Sequence, residues 1–349
     1  MLALLPASLA AQTTVRSTKG KPLPVVGEFF RFSDPITENP VVRLTNTGSA
    51  SFLPAPANHF ISVKERFLLF SSDRSGKLAP FQVDLRSGVL RQIGETSNLL
   101  AKSLCLDPKE RVLYLIDDGQ LKEIELGNRK SRTRTERVTS FSLSAGGLFV
   151  IRDSKLEFWN SDGPTPIADS VGSECWSRPG GDGCLFQREI AEKMREFWYT
   201  AGNGRSVMLA AGRIADPFWS PDGESILFLR DVPTANVMLS EIHEVLVTGG
   251  AERCVSATSQ FASFAPNGNA SVFVGASRSK AQPTVGLQLR TPQREMVLCE
   301  HHASHPENVT PVFSPDSRRV YFQSDHQGKP AIYSVNVELL VEPVAAAAA

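Results

Sequence analysis

The chain repeats one short pattern, and that pattern decides the fold: FWSPDGESILFLRD from Phe218, FASFAPNGNASVFVG from Phe261 and PVFSPDSRRVYFQSD from Pro311. Each copy reads as strand, tight turn, strand. Apolar β-formers lead into a Pro-Asp/Asn-Gly or Pro-Asp-Ser turn, and alternating apolar residues follow. A second hairpin follows the last copy, PAIYSVNV from Pro330, so a complete unit holds four strands. Weaker copies extend the pattern upstream: ISVKERFLLFSSDRSG from Ile61 with FQVDLRSG after it, LCLDPKERVLYLIDDG from Leu104, FSLSAGGLFVIRD from Phe141 and CWSRPGGDGCLFQRE from Cys175. The turns of these seven units recur roughly every 35 to 50 residues, bracketing the ~40–45 of a four-stranded propeller blade. The expectation is an all-β chain: a seven-bladed β-propeller of four-stranded antiparallel blades over residues 40–338. In such a repeat the turn aspartates and glycines serve geometry, not chemistry.

Blades cannot bury their faces alone, so the ring must close where the chain ends meet. PVVRLT from Pro40 is an isolated β-run ahead of the first unit. It is predicted to supply the outer strand of the last blade, whose own fourth strand is missing after Val337. AEKMREFW, Ala191 to Trp198, carries helical spacing and predicts a short helical excursion inside the fourth unit.

Hydrophobic residues make up 41% and charged residues 21%, the balance of a globular chain with a large core. Lys plus Arg equal Asp plus Glu at 37 each, so no global field draws the chain to nucleic acid or to an anionic membrane. The basic run NRKSRTRTER, Asn128 to Arg137, reads as a solvated loop between blades. Residues 1–12, MLALLPASLAAQ, resemble the apolar core and cleavage site of a secretory signal without its basic start, and imply export to the periplasm or outside the cell. The other reading is an untargeted, frayed N-terminus. Residues 13–39 would form an extension and 339–349 a flexible tail. No stretch approaches the ~18 apolar residues of a spanning helix.

Among five cysteines, Cys175 and Cys184 flank a turn-rich WSRPGGDG and are either a hairpin disulfide or two reduced, half-buried thiols. Cys105, Cys254 and Cys299 read as small core residues. No CxxC pair suggests zinc.

Two segments resemble the oligogalacturonate lyases, seven-bladed propeller enzymes that cleave short pectin fragments by β-elimination. FRFSDPITENPVVRLT, Phe30 to Thr45, is similar to that family's N-terminal segment. SHPENVTPVFSPDSRRVYFQSDHQGKPAIYSV, Ser304 to Val335, is similar to its final blade, including the HP start. TolB-type propellers, with WD-like repeats, share the SPDG turns but neither of these segments. The resemblance implies histidines and a glutamine at the channel mouth holding manganese, with a further histidine as base. Abstracting the C5 proton of a uronate needs a base within hydrogen-bond reach and a cation to neutralise the carboxylate.

His301, His302 and His305 form the one sequence cluster of histidines, with Glu307 adding an oxygen ligand. His302, His305, Glu307 and Gln260 are the candidate metal set. Residues just ahead of each innermost strand should gather at one channel face, which predicts Asp216, Gln260, His305 and Glu307 as neighbours. Where the family places histidines before the fifth and sixth innermost strands, this chain has Asp216 and Gln260, so the base is unassigned. His243, in EIHEVLV, reads as a packing residue. Arg213, Arg230 and His59 are candidate contacts to a uronate.

Three functions remain open on these residues. One is a metal-assisted lyase acting on acidic oligosaccharides. Another is a non-catalytic TolB-like propeller that binds a carbohydrate or a protein at the channel mouth. A peptidase propeller is the third, disfavoured because no GxSxG elbow is present.

Overall fold

The computed structural model describes residues 27–201, 205–233, 238–258 and 260–344. The signal-like segment 1–12 and residues 345–349 lie outside them. Seven antiparallel sheets follow one another along the chain, six of four strands and one of five, with helix confined to two short 3-10 turns among the described residues. The arrangement is the seven-bladed propeller that the repeat predicts. Innermost strands include Val138–Ser144 in blade 3, Ile214–Trp219 in blade 5, Phe261–Pro266 in blade 6 and Val312–Phe313 in blade 7.

One local device recurs after the innermost strands. In Ser62–Glu65, Asp107–Glu110, Ser220–Gly223, Asn267–Ala270 and Ser314–Ser317, the fourth residue donates its N–H to the carbonyl of the first at 2.7–2.9 Å. That fourth residue lies in the left-handed region in every copy, yet only Gly223 is a glycine. The first residue's side chain then accepts the N–H five positions on, as in Ser225 N to Ser220 Oγ at 2.9 Å and Arg319 N to Ser314 Oγ at 3.0 Å. Short polar residues at that first position are therefore fixed by backbone donors that would otherwise go unpaired.

The ring closes as the sequence predicts, with one addition. Pro40–Arg43 pairs with Ala331–Asn336 (Val41 opposite Val335) as the outer strand of blade 7, and Phe30–Ser33 adds a fifth strand outside it. Between them Asp34 is buried and accepts from the amides of Ile36 (3.1 Å), Thr37 (2.8 Å) and Glu300 (2.9 Å). Thr37 Oγ1 and Asn39 Nδ2 both donate to the Leu298 carbonyl at 2.8 Å. The segment is thus laced to blade 6 while its strand extends blade 7. The largest apolar cluster lies around this seam, with Phe70, Phe322, Tyr321 and Tyr333 fully buried.

Several expectations are corrected. Ala191–Trp198 is no helical excursion: Cys184–Ala191 and Met194–Thr200 form a hairpin. Phe197 and Tyr199 are buried at alternate positions, a period of two that a run of good helix formers conceals. The basic run includes an outer strand, Ser131–Thr135, where Arg132 and Arg134 pair with the buried Glu123 of the neighbouring strand. Cys175 and Cys184 are free and buried, offset diagonally on one face of a hairpin in which Cys175 faces Phe186 and Cys184 faces Ser177. Cys105 and Cys299 are buried, but Cys254 is exposed. Near the C-terminus Val341 is buried and the Val344 amide bonds to the Asp316 carbonyl. No helix among the described residues is long and apolar enough to cross a membrane.

Candidate functional site

An axial channel of about 540 Å³ is lined by residues of all seven blades, its walls including Trp176, Phe218, Trp219 and Phe313. The recurring turns mark one end. At the other end, ahead of the innermost strands, lie two clefts of about 250 and 230 Å³ that share Lys102. Glu174 lines the first and His305 the second.

Asp216 is placed by a backbone irregularity. Within blade 5, Ala215 faces Leu229 and Phe218 faces Leu227, so Asp216 and Pro217 stand against one residue of the partner strand. Asp216 takes φ +50°, unusual for a residue other than glycine. A bulge of this kind re-aims a side chain away from the ladder. Burial, followed by repulsion from Glu174, pushes its carboxyl up to about 6, while Lys102 and a hydrogen bond from the Phe264 amide act in the opposite sense. Asp216 does not itself line the channel or the clefts: its neighbour Pro217 lines the channel, and Glu174 and Lys102, whose charges it feels, line the clefts. A carboxylate poised near neutrality by burial and a like charge has the character of a general base.

The predicted histidine cluster separates. His301 is buried, its Nε2 3.0 Å from the Ser277 carbonyl and its Nδ1 accepting from the Ala303 amide at 3.0 Å, so both ring nitrogens are used in packing. His302 turns outward with φ +43°, places Nε2 2.9 Å from Glu300 Oε2 and lies 5.8 Å, ring to ring, from His326. His326 was not singled out in the sequence. It comes from a turn between strands of the last blade, and only the fold sets it beside His302. His305 lies over the cleft, its Nδ1 3.4 Å from Glu307 Oε1, with both side chains largely exposed. Gln260 uses its carbonyl to accept the Arg278 amide.

His305 and Glu307 approach each other, but His302 does not join them, and no group of three histidine, cysteine or carboxylate ligands converges at the mouth among the described residues. Manganese prefers several oxygen or imidazole donors around one point. The histidines and carboxylate of the expected set, as arranged here, do not fit it.

The other predicted contacts lie elsewhere. Arg230 is clamped by Glu252, with Nη2 to Oε2 at 2.5 Å, and also donates to the Ala211 carbonyl. It is not available to a sugar carboxylate. Arg213 does not line the channel or either cleft, and its Nε is buried without a partner. His59 does line the channel, yet its Nε2 is 3.9 Å from Glu110 on a turn at the opposite end from Asp216. Burial holds its imidazole below the ordinary range. His243 packs 6.1 Å from the Phe228 ring, as expected, but it also gathers polar partners.

No family model matches the sequence, and no curated protein matches it either. Solved structures do match. An oligogalacturonate lyase in complex with manganese superposes with a TM-score of 0.80 at 18% identity, over 90% of this chain and 98% of that one. An oligogalacturonate lyase from Vibrio parahaemolyticus gives 0.77 at 17%, over 91% and 99%. TolB from Acinetobacter baumannii gives 0.49 at 11%, over 88% and 78%. At these identities the likeness establishes the shared propeller architecture.

Proposed function

We propose that the chain binds acidic oligosaccharides at the channel mouth and acts on them by β-elimination, with Asp216 as the base. The observation that carries this reading is the bulged Asp216 next to Pro217 of the channel wall, its carboxyl pushed up to about 6 in the field of Lys102 and Glu174, which line the clefts. In this mechanism the Asp216 carboxylate takes the C5 proton of a uronate. The C5–H electrons form the C4–C5 double bond, the C4–O bond breaks, and the departing oxygen takes a proton from water. Lys102 supplies positive charge for the substrate carboxylate, whose negative charge would otherwise oppose carbanion character at C5. The aromatic walls of the channel offer flat apolar surface to a sugar ring.

The test is incubation with trigalacturonate, following the ultraviolet absorbance of the unsaturated uronate, for the wild type and Asp216→Asn. Turnover that falls by about 10²–10⁴-fold in the variant, with binding retained, supports the assignment. Equal turnover in both proteins removes Asp216 as the base. A second reading is favoured by the dispersal of the family-type histidines: a non-catalytic propeller that holds a carbohydrate or protein at the same mouth. Calorimetric binding of trigalacturonate without any product would select it.

A further inference from the structure

Blade 5 carries a second cluster, on a sheet face away from the channel mouth. Glu241 and His243 are two apart on Met238–Leu246, so their side chains share a face. On the neighbouring Arg253–Thr258 the register shifts: Ile242 faces Ser256 but His243 faces Cys254, leaving Val255 as the extra residue. Without that bulge, Val255 would stand opposite His243 and Cys254 would point to the other face. With it, one carboxylate oxygen, one imidazole nitrogen and the Cys254 sulfur lie within 4.8 Å of one another. His243 Nε2 is 2.7 Å from Glu241 Oε2. Its Nδ1 is 2.5 Å from Glu252 Oε1, outside hydrogen-bond geometry. Glu252 is in turn gripped by Arg230, whose partner across the ladder is Glu241.

We infer that Glu241, His243 and Cys254 form a zinc site, with Glu252 and Arg230 as its supporting shell. Zinc prefers sulfur, imidazole and carboxylate donors in a tetrahedron, with ligand atoms separated by about 3–4 Å at bond lengths of ~2.0–2.3 Å. The present spacing reaches that with small side-chain movements. Three protein ligands leave a fourth position for water, on the side where Cys254 is exposed. Binding through Nε2 leaves the imidazole proton on Nδ1, beside Glu252, and a small turn of that carboxylate into hydrogen-bond geometry would complete the carboxylate–histidine–metal arrangement found in zinc proteins. The Cys254 thiol proton is released to solvent as the Zn–S bond forms, so affinity rises with pH. Thiolate and carboxylate together cancel the metal's two positive charges, and Arg230 cancels Glu252. The thiolate selects zinc over manganese.

The test is equilibrium dialysis of chelator-treated full chain against zinc chloride, alone and with excess manganese, followed by metal analysis. One zinc per chain that manganese does not displace is expected. Cobalt in its place should give a thiolate-to-metal charge-transfer absorption. Cys254→Ser alters an exposed position and should abolish both signals without unfolding the protein. Glu252→Gln should weaken zinc binding by about 10–100-fold. His302→Ala/His305→Ala should leave it unchanged, separating this site from the channel mouth. No zinc above background, or zinc and cobalt signals that survive Cys254→Ser, would overturn the inference.

Discussion

The seam between the first and last blades holds a carboxyl pair whose ionisation can be read as stability. Glu65 ends the turn of blade 1 at φ +48°, and Asp316 lies in the corresponding turn of blade 7. Burial, and then the hydrogen bond to Asp316, push the Glu65 carboxyl from 4.5 up to about 7. Burial acts on Asp316 in the same direction, but hydrogen bonds from Glu65, Ser314 and the Arg318 amide hold it below its ordinary value. One proton is therefore shared, with Glu65 donating. Because the folded chain binds that proton more tightly than the unfolded chain, the stabilisation is complete below about pH 4.5 and is lost as pH rises through about 7. The span between those values caps the effect at about 3 kcal/mol. The Glu65 side chain is 18% exposed and Asp316 32% exposed, and Arg319 Nε lies 3.7 Å from Glu65. That arginine already enters the value of about 7, and screening by solvent reduces the expected loss to about 1–2 kcal/mol. Glu65→Gln keeps a donor toward Asp316 and cannot ionise. Urea unfolding of both proteins should give nearly equal stabilities at about pH 5 and a variant more stable by ~1–2 kcal/mol at about pH 8. A difference that does not change with pH, or one that favours the wild type at the higher pH, would refute the shared proton.

Asp34→Ala removes a buried acceptor from several donors, and chemical unfolding should show a loss of about 2–4 kcal/mol. Stability from this carboxylate is present above pH 3.8: burial acts to raise it, but hydrogen bonds from Glu300, Thr37 and Ile36 outweigh that and lower it, so wild type and variant should converge as pH falls. Gly275→Ala would drive a methyl into the Phe261 ring across the innermost hairpin of blade 6, and thermal unfolding should report a cost of about 1–3 kcal/mol. If Asp216 is the base, kcat/KM on trigalacturonate should rise with pH through about 6, and Lys102→Met should lower kcat as well as raise KM.

Architecture was legible in the sequence because each blade repeats the same local bargain between backbone and side chain. A serine, aspartate or asparagine at the head of the turn accepts amides three to five positions away, and flanking β-formers alternate at period two. These are short-range relations, so they leave a pattern that can be read at Phe218, Phe261 and Pro311. The closing strand was legible for a similar reason, since an unpaired β-run at Pro40 and a blade lacking its fourth strand imply one another. The residues of Ala191–Trp198 suit both periods, and the ladder to Ser206–Gly212 chooses the strand.

The candidate sites were decided by tertiary structure. Three neighbouring histidines in sequence point in three directions, since His301 enters the core, His302 meets His326 and His305 lies over a cleft. Lys102, Glu174 and Asp216 come from three different blades and influence one another only when the ring closes. Asp216 and Cys254 both owe their placement to single-residue bulges. A one-residue change of register sends a side chain to the opposite face of a sheet, and strand pairing sets that register over the whole blade rather than in the residues around the site.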